Sequence, residues 1–318
     1  MSLWILLPLT VLALAALALY LHHLFEGECL PADLWREWKL ARMDLATLDR
    51  RWEKAERSEI VVTLTTTPSR IALLEPTLKS LLDQTRPPAR ITLNLPRHST
   101  RENRAYEIPA PLNRLASLQI RRCDDLGPGT KLIPSVQAEP PDTPLVVVDD
   151  DRIYPPWLLA RYERAAAAQP DRALTMAGWV APPDLVDRMT TIRANLFMRP
   201  PAPIRASRLR KPRRVDIFQG VMSYLVRPRF FDEKSLADFT GQPPELRFVD
   251  DVRSSALCRA EIWVIPAPSL SFVPRAQAAL LQQTRLGLVN RVPGERHNRN
   301  NTIALKHFAD RWQVGGPR

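Results

Sequence analysis

Glycine is scarce in this chain, 10 residues of 318. Those present form neither the P-loop nor the dinucleotide-binding pattern, so a glycine-rich phosphate loop of either type is excluded. Cysteine is scarcer still. Cys29, Cys123 and Cys258 lie at spacings that match no zinc or redox motif, and an odd, sparse set argues against a disulfide framework and for a reducing compartment. Aromatic residues make up only 7%. No internal repeat is visible. Acids are outnumbered by bases, 34 to 45.

What is present suits a folded domain of some size. The hydrophobic content is 45%, enough for a sizeable core in one large domain or two modest ones. Proline is abundant, at 31 residues, which makes for many stiff loops. The net charge of +11 favours an anionic partner: nucleic acid, an anionic membrane surface or a phosphorylated small molecule. Part of that charge is concentrated in 205–214, "RASRLRKPRR", with six basic residues and no acid. This stretch reads as a lid over a bound diphosphate, as a patch for anionic lipid, or as a solvated loop.

Residues 3–21, "LWILLPLTVLALAALALYL", carry no charge and are long enough to cross a hydrocarbon core of roughly 30 Å. A signal peptide would begin with positive charge, and "MSLW" has none, so 1–25 is expected to be an uncleaved transmembrane anchor. No Lys or Arg precedes the span, whereas Arg36, Lys39, Arg42, Arg50, Arg51, Lys54 and Arg57 follow it. The positive-inside bias then faces the large C-terminal part to the cytoplasm. Residues 26–57 set Leu34, Trp38, Leu45, Leu48 and Trp52 at roughly helical spacing among charges, which predicts an amphipathic connecting helix on the membrane surface or packed on the domain.

Strand-like and helix-like segments alternate from about 60 to 170. Strands are expected at 59–67, 90–96, 115–123, 143–151 and 172–180, with helices at 71–84 and 156–169 between them. Beyond a proline-rich stretch, 215–227 and 261–266 resume β character, and 248–260 reads as a helix with an acidic start. That order predicts an α/β fold, an open and mostly parallel sheet with helices on both faces. Ligands of such sheets bind at the carboxyl ends of the strands. The most apolar strand, "TPLVVVDDD", ends there on three adjacent aspartates, which must be solvated, paired or neutralised. On an extended segment Asp149 and Asp151 point the same way, and two hard oxygen ligands suit Mg2+ or Mn2+ with open positions for phosphate oxygens. The other reading is that Asp151 caps the following helix and its neighbours are solvated.

The ordered set "VVTLTTTPSRI", "DDLGPGTKLIP", "VVVDDDRIYPP", "FQGVMSYLVR" and "FVDDV" resembles a GT-A-fold glycosyltransferase of the bacterial, membrane-anchored, family-2-like group. The resemblance covers roughly 58–266 and implies a GT-A domain over 58–273, with a polar tail, 274–318, packing on or completing it. It implies a nucleotide-sugar donor, with contacts from Thr65, Thr66, Pro68 and Arg70 after the first strand, from Asp124 or Asp125, and from Lys131. Thr65 to Thr67 are equally ordinary for a strand, and Lys131 for a solvated helix end. The family's metal pair falls on Asp149 and Asp151, with Asp150 reaching the ribose. Gly220 matches an acceptor-side segment, or is a β-bulge. Asp250 or Asp251 matches the general base of inverting members, or complements a helix dipole. His297 is the candidate third metal ligand, with His307 second, or is simply exposed.

The function these readings imply is metal-dependent transfer of a sugar, with inversion, from a nucleotide-sugar to a hydroxyl of a glycan or lipid-linked glycan. The enzyme would be held in a bacterial inner membrane by its N-terminal helix, with no nucleic-acid partner. A nucleotidyltransferase on a similar sheet is an alternative, but "TLTTTPSR" lacks its glycines. A non-catalytic, basic, anchored binding protein is another, though aspartates at two element ends would repel phosphate without a metal.

Overall fold

The computed structural model describes residues 3–283, 290 and 299–317. The apolar N-terminal run forms one helix, α1 (Leu3–Glu26), of 24 residues or about 36 Å at 1.5 Å per residue. It is long and apolar enough to cross a membrane, and no residue in its 18-residue apolar window is buried against the rest of the protein. At its end the chain turns at Gly27 with φ +72°, where a Cβ would lie 2.6 Å from the carbonyl oxygen of Ala206. Only glycine meets both demands without strain.

In place of one connecting helix there are two, α2 (Leu30–Ala41) and α3 (Leu45–Lys54). The break falls at Asp44, whose carboxylate accepts the Thr47 N–H at 2.8 Å and starts α3 afresh as its N-cap. The apolar stripe divides accordingly. Leu40, Leu45, Leu48 and Trp52 are buried, with the Trp52 indole donating to the Pro88 carbonyl at 2.8 Å, while Leu34, Trp35 and Trp38 stay exposed.

The main sheet has eight strands: β1 (Val61–Leu64), β2 (Arg90–Pro96), β3 (Leu118–Cys123), β4 (Leu145–Val147), β5 (Ala173–Thr175), β6 (Arg213–Val215), β7 (Tyr224–Val226) and β8 (Ile262–Val264). Their spatial order is β6-β8-β5-β7-β4-β1-β2-β3. Strands β1 to β4 run parallel, and β7 is inserted antiparallel between β4 and β5. This is the open, mostly parallel α/β sheet that the alternating pattern predicts. β1 and β4 are buried along their whole length, with Val62 opposite Ile91 on one side and Val146 on the other, as strands covered on both faces should be.

Two expected strands are each divided. The 172–180 run supplies β5 to the main sheet and then Ala177–Trp179 to a three-stranded side sheet with Ile204–Arg205 and Ile217–Phe218. The 215–227 run is interrupted by a 3-10 turn at Gly220–Met222, after which Ser223 takes φ +84°. Downstream of 274, the helix Arg299–His307 packs Leu305 with Val249 and Val252. The final segment is pinned by Asp216, whose carboxylate accepts the N–H groups of Gln313, Val314 and Gly315, each at 2.8 Å.

Candidate functional site

The carboxyl ends of β1 and β4 lie side by side and open into a cleft of about 520 Å³. Its wall includes Thr65, Thr66 and Arg70 after β1, Asp125 and Lys131 after β3, Asp149, Asp150 and Asp151 after β4, and Asp250 and Asp251 at the start of the helix Asp250–Leu257. Thus residues from four separate motifs of the sequence converge on one place. Pro68, Asp124 and Gly220 are not on the wall, and His297 lies outside the described residues. His307 sits at the end of its helix, edge-on to Phe308.

The aspartates are not arranged as the alternation of a strand would place them. β4 stops at Val147 and the chain turns at Asp150 and Asp151, so the carboxylates of Asp149 and Asp151 face different cations. Asp149 Oδ1 lies 2.9 Å from Lys131 Nζ. Asp151 Oδ2 lies 2.7 Å from Arg70 Nη2, which is also 2.9 Å from Asp150 Oδ1. Asp150 accepts the Thr66 hydroxyl at 2.5 Å, while its backbone carbonyl accepts the Thr77 hydroxyl at 2.9 Å. Arg70 is held above its ordinary pKa: burial opposes this, but Asp150 and Asp151 outweigh it. Burial, helped by Asp151, pushes Asp150 up to about 6 despite Arg70.

Lys131 anchors the other group. It is buried, and its ammonium lies 2.8 Å from Asp250 Oδ2 and 3.8 Å from Asp251 Oδ1 as well as against Asp149. Burial alone would discharge the amine, but the three carboxylates hold its pKa well above the ordinary value. Asp149, which burial would raise, is held low by the same lysine. One ammonium does not balance three carboxylates, and the deficit falls on Asp251. Burial first, then Asp250 and Asp149, push it up to about 7 against the pull of Lys131. Its side chain is 30% exposed, against 9% for Asp250, so it presents the more open carboxylate to the cleft.

Backbone and second-row side chains fix these acids. The Asp149 N–H donates to the Tyr154 hydroxyl at 2.9 Å, and the Tyr154 N–H donates to Ser80 Oγ at 3.0 Å. Gly220 N–H donates to Asp251 Oδ2 at 3.0 Å. Asp125 is turned into its own loop, accepting Thr100 N–H at 2.7 Å and Gly127 N–H at 2.9 Å. The Thr65 hydroxyl likewise faces the sheet, donating to the Asn94 carbonyl at 2.8 Å.

Several participants escape sequence reasoning. Arg101, Tyr106 and Arg152 line the cleft, and the Tyr106 hydroxyl donates to the Thr66 carbonyl at 2.9 Å. Tyr224, on the reversed strand β7, is buried with its ring stacked 3.9 Å from Phe218, and its hydroxyl has no hydrogen-bond partner among the described residues. Its position in "FQGVMSYLVR" was the only available signal. Among the described residues no group of three or more acids, histidines or cysteines is arranged to hold a metal ion.

No protein-family model matches the chain, and no curated protein matches its sequence. In structure the chain is similar to mannosyltransferase PcManGT from Pyrobaculum calidifontis in complex with GDP-Man and Mn2+, at 16% identity over 93% of this chain and 81% of that one, with a TM-score of 0.42. It is also similar to S. aureus TarS 1-349, at 12% identity over 79% of this chain and 71% of that one, with a TM-score of 0.39. A third likeness is to 4-diphosphocytidyl-2C-methyl-D-erythritol synthase, at 13% identity over 72% of this chain and 99% of that one, with a TM-score of 0.40.

Proposed function

We propose that the chain is an inverting glycosyltransferase that moves a sugar from a nucleotide-sugar donor to a hydroxyl of a glycan or lipid-linked glycan. The observation that carries this reading is the meeting of Asp149 and Asp251, one from the end of a central strand and one from a helix start, around Lys131 in one cleft. A nucleotide anion entering so acidic a cleft needs cationic help. Arg101 and Arg152 bring guanidinium groups to the wall.

A divalent ion suits the same place. Asp149 and Asp151 line the cleft with 26% and 19% of their side chains exposed, so neither is closed off by its cationic partner. Mg2+ and Mn2+ take one or two carboxylates and fill their remaining positions with water and substrate phosphates. Asp149 and Asp151 would hold the ion, and it would supply charge neutralisation to the departing diphosphate.

The protein's own residues account for the other half of the reaction. Asp251 takes the proton of the acceptor hydroxyl as the acceptor oxygen bonds to the anomeric carbon and the bond to the diphosphate oxygen breaks. A carboxylate raised to about 7 is a better base near neutrality than an ordinary aspartate. Lys131 does not serve the diphosphate, because three carboxylates already share it; it keeps like charges together and aimed. Thr66 and Arg70 hold Asp150 and Asp151 at the donor side. Helix α1 anchors the enzyme in the bacterial inner membrane, with the catalytic domain in the cytoplasm beside lipid-linked acceptors.

The test is a thermal-shift and hydrolysis screen of the full chain against a panel of nucleotide-sugars, with and without Mn2+. The reading expects one donor class to stabilise the protein in a manganese-dependent way and to be turned over. Stabilisation by nucleoside triphosphates alone, or by no nucleotide, refutes it.

A further inference from the structure

A second surface, apart from the cleft, stands beside the end of α1. From Arg188 to Arg214 the chain carries nine basic residues and no acid. Within it the short helix Ile192–Leu196 and the residue after it leave large apolar side chains in the open: Ile192 is 89% exposed, Leu196 67% and Phe197 57%. An apolar group of this kind among charges marks a contact surface. Arg193, Arg199, Arg208, Lys211 and Arg213 are exposed around it, and none pairs with an acid among the described residues.

The surface is tied to α1 by contacts. Arg210 reaches Glu26 Oε1 at 3.3 Å, and its guanidinium also touches the sulfur of Met198. Arg205 lies 2.7 Å from Glu28, just past the helix end. The carbonyl of Gly27 accepts the Leu270 N–H at 3.0 Å, so the exit of α1 is fastened to the domain. After that exit the chain runs into α2, which presents Trp35 and Trp38, stacked at 4.7 Å, with the Arg42 guanidinium 3.7 Å over Trp38. Exposed tryptophans with nearby arginine suit the headgroup layer of a bilayer.

We infer that the 189–213 segment and the Trp35–Trp38 face seat the domain on an anionic leaflet, with Ile192, Leu196 and Phe197 dipping into the headgroup layer and the arginines meeting lipid phosphates. Charge complementarity selects this occupant. A second copy of the chain would bring the seven bases of 189–213 against the same seven in a two-fold contact, whereas anionic lipid offers each of them a phosphate. The inference rests on the proposed membrane anchoring by α1.

The test uses the full chain in lipid nanodiscs, with the native cysteines replaced and an environment-sensitive fluorophore placed singly by Ile192→Cys, Phe197→Cys, Leu12→Cys or Gln119→Cys. Gln119 is exposed on β3, the sheet edge opposite β6, seven strand spacings or about 34 Å away. In discs containing phosphatidylglycerol, lipids spin-labelled near the headgroup should quench the probes at 192 and 197 roughly threefold more than the probe at 119. The pair Arg208→Glu and Lys211→Glu should remove most of that difference. Equal quenching at 192, 197 and 119 overturns the inference, as does quenching that is the same in purely neutral lipid. A spectral shift that follows protein concentration rather than lipid would assign the surface to a second copy instead. The Leu12 probe reports separately on anchoring. Deep quenching at 12 without quenching at 192 and 197 sinks the inference and leaves the anchor standing; absence of deep quenching at 12 removes the anchor and the seat that rests on it.

Discussion

Gly220 and Asp251 are locked together twice over. The Gly220 amide donates to Asp251 Oδ2 at 3.0 Å, and a Cβ on that glycine would lie 2.9 Å from Asp251 Oδ1 and 2.4 Å from Lys131 Nζ. The glycine is therefore required by the space that the ammonium and the carboxylate occupy.

Gly220→Ala tests this directly. The added methyl meets the far end of a lysine rather than backbone, so the fold survives while Lys131 withdraws from one or more of its acids. The expected outcome is a change in melting temperature of only a few degrees and a fall in kcat of about 10- to 100-fold, because a misplaced catalytic group costs rate steeply. Wild-type turnover in this variant would remove Lys131 and Asp251 from the reaction.

Asp251→Asn should bind donor as the wild type does and lose about 10²- to 10⁴-fold in kcat, the usual worth of a general base. The pH dependence has a definite sign. The base works unprotonated, and its pKa is raised to about 7 chiefly by burial, so wild-type kcat should fall as pH drops through 7. The asparagine variant should lose that acidic limb. Donor affinity measured by titration calorimetry should not follow the same limb, since Asp251 is assigned to the acceptor.

Asp149→Ala and Asp151→Ala should each weaken manganese-dependent donor binding by at least about tenfold, as loss of a ligand does. In each variant the neighbouring cation keeps another acid. Removing Asp149 leaves Lys131 with Asp250 and Asp251, while removing Asp151 leaves Arg70 with Asp150 alone. Donor binding without metal should therefore be little changed in either variant, and equal losses with and without manganese would detach both residues from the ion.

Much of this site was legible from the chain. The apolar run Leu145–Val148 had to be a central strand, and an α/β order puts its end at the ligand face, so Asp149 through Asp151 and the helix start at Asp250 were visible as acids in search of partners. What was not legible are the partners themselves. Lys131 meets Asp250 across 119 positions of sequence, and no local pattern encodes that pairing. The alternation argument for Asp149 and Asp151 failed because the expected strand, 143–151, ends four residues early, at Val147. The tail was read as polar, and its docking depends on Asp216, an acid at the start of the 215–227 β run that carries no sequence signal of its own.

Asp216→Asn examines that docking. The carboxylate accepts four backbone N–H groups, from Ala181, Gln313, Val314 and Gly315. An amide can accept on one side only and turns a donor toward other donors. The variant should lose about 2 kcal/mol of stability and show faster hydrogen exchange at 313–315 before any change at β1 or β4. Uniform destabilisation with unchanged exchange at the tail would mean that Asp216 does not hold it.

Arg36 links α2, the helix that follows α1, to the cleft, and its removal is the most informative structural change. It is buried, and it donates to the carbonyls of Ser80 at 3.2 Å, Asp83 at 3.1 Å and Tyr154 at 3.4 Å while pairing with the Asp83 carboxylate. Tyr154 in turn accepts the Asp149 N–H through its hydroxyl. Arg36→Ala would leave the Asp83 carboxylate with Lys39 as its remaining cation and take the guanidinium from the Asp83 and Tyr154 carbonyls, at a cost of about 1–3 kcal/mol. Arg36→Met retains the bulk and should cost less, while still freeing the Tyr154 backbone. If Arg36 is a positioning residue for Asp149, the methionine variant will need several-fold more manganese for half-maximal donor binding, with Asp251 titrating as before. If it serves stability alone, the variant's melting temperature will fall and its manganese requirement will not move.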